Sequence, residues 1–258
     1  MIDKMNGWKM KYTDTAIMVL RTAGGGKNWM DVSPTVLEAA ARSQDATSFQ
    51  EIAALCPLDA QRAWMAVILK DRVVLEFTSS GGRQWRKSIG PGAMEGLAIS
   101  FLDEQIGFIL DSSDPAAGIM KKEVYGTQDG GRHWVPLTSP DLEGMSYYST
   151  GITFRSPQVG WVTGTYHGVP NAPFFRTEDG GKTWSFQKLT FPPDYQGGYA
   201  DTYPPVFTGA DKKRGYLPVK FVRHDPPPGH YAWVNYETAD GGVTWRLPAS
   251  GVHSIPDN

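Results

Sequence analysis

Short runs in which apolar residues alternate with small or polar ones punctuate this chain, clearest in LAISF ending at Phe101 and GITF ending at Phe154. Period-two alternation of β-branched and aromatic residues is the pattern of half-buried strands. VF at Phe207 and the less regular EIAALC ending at Cys56 are looser counterparts. A second mark is a small residue before an aromatic one: Gly7-Trp8, Ala63-Trp64, Gly107-Phe108, Gly160-Trp161 and Gly215-Tyr216. A third closes each unit, as TAGGGKNW from Thr22, TSSGGRQW from Thr78, TQDGGRHW from Thr127, TEDGGKTW from Thr177 and TADGGVTW from Thr238. One repeat therefore predicts four strands: an inner one from Leu97 to Phe101, a second from Ile106 to Leu110, a third from Glu123 to Thr127, and an outer one starting at Trp134.

The third mark reads as a strand, a tight turn and a returning strand. Asp129, Asp179 and Asp240 can accept hydrogen bonds from backbone N–H groups a few residues on, and Thr127, Thr177 and Thr238 can bond locally through their hydroxyls. Paired glycines supply positive φ, and Trp134, Trp184 and Trp245 bury a large ring on the returning strand. These segments resemble Asp-box (BNR) repeats. Gly24 and Ser80 stand where the other copies have Asp, so those two turns should be held less firmly.

Four antiparallel strands repeated at roughly 50 residues describe propeller blades. The expected fold is all-β, a single β-propeller domain of five four-stranded antiparallel blades near 1–34, 51–90, 95–140, 147–192 and 203–250. The alternative is part of a six- or seven-bladed ring. Tandem sandwiches are excluded because each unit is too short to bury both sheet faces unless it stacks on its neighbours. The first blade lacks a full inner strand, and the tail at 251–258, with Val252 and Ile255, is the expected source of one, closing the ring. VLEAAARSQ, preceded by Ser33-Pro34-Thr35, predicts a capped two-turn helix over the ring.

Composition narrows the function classes. A formal charge of −2 with no long basic run argues against a surface that tracks nucleic-acid phosphates. Lone Cys56 has no disulfide partner and no zinc-type ligand set around it, and no cofactor or metal is expected. MIDKMNGWKM has no apolar core of signal or membrane-span length, so an exported protein would carry its leader outside this chain. The expected location is extra-cytoplasmic, secreted or envelope-attached, without a membrane span.

Strand order gathers the long loops opposite the repeated turns. That face is expected to present Tyr147, Tyr148, Tyr166, His167, Tyr195, Tyr199, Tyr203, His224 and His230, a recognition surface for a protein or cell-envelope component, or for a carbohydrate. Asp-box propellers divide between glycosidases and non-catalytic scaffolds. A sialidase-like reading needs an early Arg-Ile-Pro motif, which the chain lacks; Arg155, Arg214 and Arg223 make a triad only by assumption. Another glycosidase would need an acid pair such as Asp194 with Asp201 or Glu143, at a separation that sequence cannot supply. The balance leans away from an enzyme. FFRTEDGGKTW and its decayed form VLRTAGGGKNW resemble the photosystem II assembly and stability factor family and its bacterial relatives across nearly the whole chain. That resemblance implies an extra-cytoplasmic, non-enzymatic scaffold; the photosynthetic members help assemble a membrane complex.

Overall fold

Five antiparallel sheets, one for each repeat, are arranged as a β-propeller in a computed structural model. It describes all residues except 1, 44–51, 114–119, 138–141, 143–146, 166–171, 223–230, 249–252 and 256–258. The first sheet is β1 (Gly7–Thr13), β2 (Ala16–Thr22) and β3 (Met30–Asp31), and α1 (Val36–Ser43) follows it. The second is β4 (Ala53–Pro57), β5 (Ala63–Leu69), β6 (Arg72–Thr78) and β7 (Arg86–Gly92). The third is β8 (Gly96–Phe101), β9 (Gly107–Ser112), β10 (Lys122–Thr127) and β11 (Val135–Pro136). The fourth is β12 (Tyr148–Phe154), β13 (Gly160–Thr165), β14 (Phe174–Thr177) and β15 (Ser185–Phe186). The fifth holds β16 (Tyr199–Thr202), β17 (Val206–Thr208), β18 (Arg214–Val222), β19 (Tyr231–Thr238) and β20 (His253–Ile255). Contacts divide the chain into two compact units, Met1–Asp114 with Glu123–Leu137, and Pro115–Lys122 with Thr138–Asn258.

The repeated turn has one geometry in all five copies. Both glycines hold φ between 65° and 93°, a region where a Cβ would be strained. The first glycine of each pair donates its N–H to a carbonyl in the segment leading into the small-aromatic strand, which in the first sheet precedes β1. The pairs are Gly25 to Met5 (2.8 Å), Gly81 to Gln61 (2.8 Å), Gly130 to Gln105 (2.9 Å), Gly180 to Gln158 (2.9 Å) and Gly241 to Lys213 (2.7 Å). The second donates to the threonine hydroxyl four residues back, at 3.2 Å in Thr22, 3.0 Å in Thr78 and Thr127, and 2.9 Å in Thr177 and Thr238. Those five threonines are all buried.

The Thr127, Thr177 and Thr238 hydroxyls pass their own protons to Asp129, Asp179 and Asp240, at 3.0, 2.8 and 2.8 Å. Asp179 Oδ1 also accepts the N–H groups of Lys182 and Thr183, and its Oδ2 accepts the Thr183 hydroxyl. Ser80 does part of this work, accepting the Gln84 N–H at 3.0 Å. At Gly24 the carboxylate bonds are absent, while the threonine bonds and the Gly25 bond to Met5 remain.

A second repeated turn meets the first. Asp3, Asp59 and Asp103 each accept two backbone N–H groups from the next few residues, with Ser156 and Asp211 accepting one apiece. In the second to fifth sheets the small residue that follows pairs with the end of the inner strand: Ala63 with Pro57, Gly107 with Phe101, Gly160 with Phe154, and Gly215 with Phe207. A side chain at Gly107 or Gly160 would run into the phenylalanine ring lying over it.

Aromatic rings join neighbouring sheets inside each unit. In the first unit Trp64 stacks on Phe101 at 4.2 Å and Trp8 meets Trp85 edge-on at 6.5 Å. Their indole N–H groups donate to the carbonyls of Asp103 and Asp59 in the next blade's turn. In the second unit Trp161 packs on Phe207 at 5.0 Å and on Trp245 at 6.5 Å. Each contact of this kind contributes about 0.5–1.5 kcal/mol beyond the area it buries.

Three expectations need correction. Among the described residues the first sheet has three strands, and the described part of the tail does not complete it: β20 pairs with Tyr231–Trp233 of β19 as the outer strand of the fifth sheet. The outer edge of β19 beyond the Glu237–Arg246 bridge lies near the tail in sequence, so pairing there closes a short loop. The fifth inner strand is split into β16 and β17, because Pro204 and Pro205 lie between them and lack donors. Helix α1 forms and packs Leu37 and Ala40 against β2 and β5, but Ser33 does not cap it. The Ser33 hydroxyl instead accepts the Val19 N–H of β2 at 2.9 Å.

Replacing Thr177 with Val keeps shape and leaves the buried Gly181 N–H without its acceptor, a loss of about 1–3 kcal/mol. Asp179→Ala removes bonds from an exposed carboxylate and should cost about 1 kcal/mol, so urea denaturation should rank Thr177→Val the more destabilised. Equal or reversed effects would remove the threonine from its central place.

Although partial desolvation works against it, bonds from Thr183, Thr177 and Lys182 hold the Asp179 carboxyl down at about 2, from an ordinary 3.8. Asp240, opposed by desolvation and held by Thr244, Thr238 and Val243, also lies at about 2. A carboxyl depressed in the folded chain stabilises it above 3.8, and that contribution disappears as pH falls through about 2. The melting temperature should therefore drop between pH 4 and pH 2, and the drop should be shallower in Asp179→Asn/Asp240→Asn.

Candidate functional site on the fifth sheet

Strands β18 and β19 pair along eight positions, from Gly215 opposite Thr238 to Val222 opposite Tyr231. Alternation sends Leu217, Val219, Phe221, Ala232, Val234 and Tyr236 to one face, all at most 2% exposed, where they pack with Trp161, Phe174 and Leu189. The other face is open. Tyr216 and Trp233 are each 38% exposed, and Asn235 and Glu237 are exposed beside them.

The loop-side half of this open face is aromatic. Trp233 lies opposite Lys220, which lies opposite Asp201 on β16. The Tyr203 ring sits 5.1 Å from Trp233, and the Tyr203 N–H bonds to the Pro218 carbonyl. Lys220 Nζ stands 4.6 Å over the Tyr231 ring. Tyr199 lies opposite Val222. Burial, and then the Asp201 charge, raise the Tyr203 hydroxyl above the ordinary tyrosine range, so Tyr203 offers a neutral donor throughout the physiological range.

The nine loop-face candidates separate on this geometry. Tyr199 and Tyr203 belong to the open face, and Tyr148 is half-buried at the start of β12. Tyr147 is a core residue, 2% exposed and stacked on Phe175 at 4.9 Å, and burial pushes its hydroxyl far above its ordinary value. Tyr195, 6% exposed, packs against Phe221. Both were expected at the surface and instead anchor the loops that carry them, because a ring on a Gly- and Pro-rich segment is the nearest apolar surface that can hold it down. Tyr166, His167, His224 and His230 lie outside the described residues, as do Glu143 and Arg223.

The most buried acid group elsewhere serves the fold. Asp111, 1% exposed, accepts the Met94 N–H at 3.0 and 3.1 Å and closes the link into β8. Desolvation, partly offset by the Met94 bond and reinforced by Glu123 and Glu95, raises its carboxyl to about 6. Its burial keeps it from any substrate. Asp194 is exposed at the 3-10 turn Pro193–Tyr195, and Asp201 is half-buried on β16. Arg155 lies against the turn glycine Gly241, whereas Arg214 stands on the open face of the fifth sheet. Cys56 is half-buried, its Sγ accepting the Phe101 N–H at 3.3 Å. Among the described residues no three His, Cys, Asp or Glu side chains are placed to hold a metal, and no helix is long and apolar enough to cross a membrane.

Sequence reasoning missed Trp233, Tyr231 and the exposure of Tyr216. Tyr216 carries the same small-aromatic mark as the buried Trp8, Trp64, Phe108 and Trp161. The available signal was the strict alternation YAWVNYET from Tyr231, with Trp233 on the polar side of the strand beside Asn235 and Glu237.

No protein family's sequence profile matches the chain, and no curated protein matches it. Solved structures of similar shape include YCF48 bound to D1 peptide, at 16% identity and a TM-score of 0.50 over 95% of this chain and 78% of that one. The GH74 enzyme of Niastella koreensis matches at 12% identity and a TM-score of 0.54, over 95% of this chain but 38% of its own. TolB from Acinetobacter baumannii matches at 16% and 0.52, over 93% and 51%. At such identities the likeness establishes the β-propeller fold and nothing finer.

Proposed function

We propose that the chain is a non-catalytic binding scaffold that recognises a protein partner in the cell envelope, outside the cytoplasm. The observation that carries this reading is the open aromatic half of the fifth sheet, where Tyr203 and Trp233 stand in contact and Tyr199 and Tyr231 flank them. Tyr and Trp are the side chains that most often dominate protein interfaces, because they bury large area at low conformational cost. A sheet holds them at fixed spacing, which lowers the ordering cost of binding. The solved complex of YCF48 with a peptide supports the reading as an instance of a similar shape in that role. The repeated turns, read as Asp-boxes, belong to the scaffold: their carboxylates are occupied by their own backbone. The lone half-buried cysteine is compatible with an oxidising compartment.

The test is capture from a solubilised envelope fraction with the wild-type chain and with Tyr203→Ala/Trp233→Ala, followed by a binding constant for the captured protein. The double variant should bind at least about tenfold more weakly, a loss of about 1.4 kcal/mol or more, with an unchanged thermal transition. Undiminished binding by the variant would sink the reading, as would steady turnover of a chromogenic glycoside or sialoside.

A further inference from the structure

We propose that the turn-side half of the same open face is a saccharide-binding groove selective for sugars that carry a carboxylate. It uses residues distinct from the Tyr203–Trp233 pair and does not depend on the protein-partner reading. The groove measures about 740 Å³ and lies wholly within the fifth sheet, lined by Thr208, Arg214, Tyr216, Glu237, Thr244 and Arg246 among others. That volume falls in the range of about 300–1,000 Å³ usual for small-ligand sites.

Strand register builds its floor. Val206 pairs with Tyr216, Tyr216 with Glu237, and Glu237 with Arg246. These four side chains form a row across three strands and the Arg246 bridge, roughly 14 Å long at about 4.8 Å per step. Arg214 stands two residues from Tyr216 on the same strand and therefore on the same face. The exposed tyrosine ring offers its negative π-face to the C–H face of a pyranose. Glu237 on one side and the arginines around it are planar groups that can each bind a pair of hydroxyl or carboxylate oxygens, Glu237 as acceptor and the arginines as donors.

Charge selects the sugar. Asp240 is consumed by its own turn, accepting the Thr238 and Thr244 hydroxyls at 2.8 and 2.6 Å. Glu237 is left as the available carboxylate against two guanidiniums. Neither arginine side chain has a hydrogen bond or ion pair among the described residues, although Arg246 lies directly across from Glu237. An incoming carboxylate can pair with these solvent-facing guanidiniums. Protein interfaces are depleted of charge at their centres, whereas this groove passes from aromatic to acid to base from one backbone to the next.

The experiment is calorimetric titration of the full chain with trigalacturonate and with neutral maltotriose. Wild type should bind trigalacturonate at least about tenfold more tightly than maltotriose. Tyr216→Ala should weaken trigalacturonate by about tenfold or more, while Arg214→Gln/Arg246→Gln should abolish the preference for the charged sugar. Trp233→Ala should leave sugar binding unchanged, which separates this site from the protein-partner surface. The replaced side chains are exposed, so thermal transitions should match wild type. The proposal is overturned by no saturable binding of trigalacturonate at millimolar concentration, by binding indifferent to both variants, or by a hexaglutamate peptide occupying the site when the sugar does not.

Discussion

A buried peptide N–H must find an acceptor, and the second glycine of each repeated turn finds its acceptor in a threonine hydroxyl. The first glycine is tied to the carbonyl of the neighbouring hairpin. One bond thus closes the repeated turn on its own threonine, and the bond at the adjacent residue fastens that turn to the segment leading into the small-aromatic strand. The aspartate adds to this arrangement without creating it. Gly24 and Ser80 occupy its place while both glycine bonds persist, so carboxylate loss weakens a turn that threonine and glycine already hold.

Fastening one end of every blade has a consequence at the other. Chain length and composition are free to vary there, as in the segments that lead into β12 and β16. Their tyrosines divide by packing: Tyr147 and Tyr195 become anchors, while Tyr199 and Tyr203 join the open sheet. The aromatic marks divide in the same way. Trp8, Trp64 and Trp161 are clamped by ring contacts against the next blade of their unit, and the Trp8 and Trp64 indoles also donate hydrogen bonds to it. Tyr216, at the corresponding place in the fifth sheet, keeps over a third of its surface exposed. A side chain that stabilises the fold in one repeat thereby becomes available for recognition in another.

The open face was only partly legible beforehand. Tyr199 and Tyr203 stood out because tyrosines among glycines and prolines are conspicuous in a loop. Trp233 was hidden inside a regular strand, where an aromatic residue is ordinarily read as core. Its neighbours Asn235 and Glu237 marked that side as polar, but a strand's two faces carry equal weight until a partner sheet is assigned to one of them. The turn DEQIG from Asp103, with its counterparts at Asp3, Asp59, Ser156 and Asp211, was also overlooked. Short polar turns repeat with less apparent regularity than a tryptophan does, although this one supplies half of the clasp.

By itself the sequence determined that the chain is a series of antiparallel sheets with one recurrent turn, because the glycines, threonines and tryptophans at fixed offsets admit few other conformations. Local alternation also settled which residues share a face within each strand. Which face is covered, and where the tail pairs, were decided by tertiary structure. Both depend on which edges and surfaces remain open once the hairpins have formed. The tail therefore adds to β19 and not to β1, and the face of the fifth sheet that carries Tyr216 and Trp233 is left exposed.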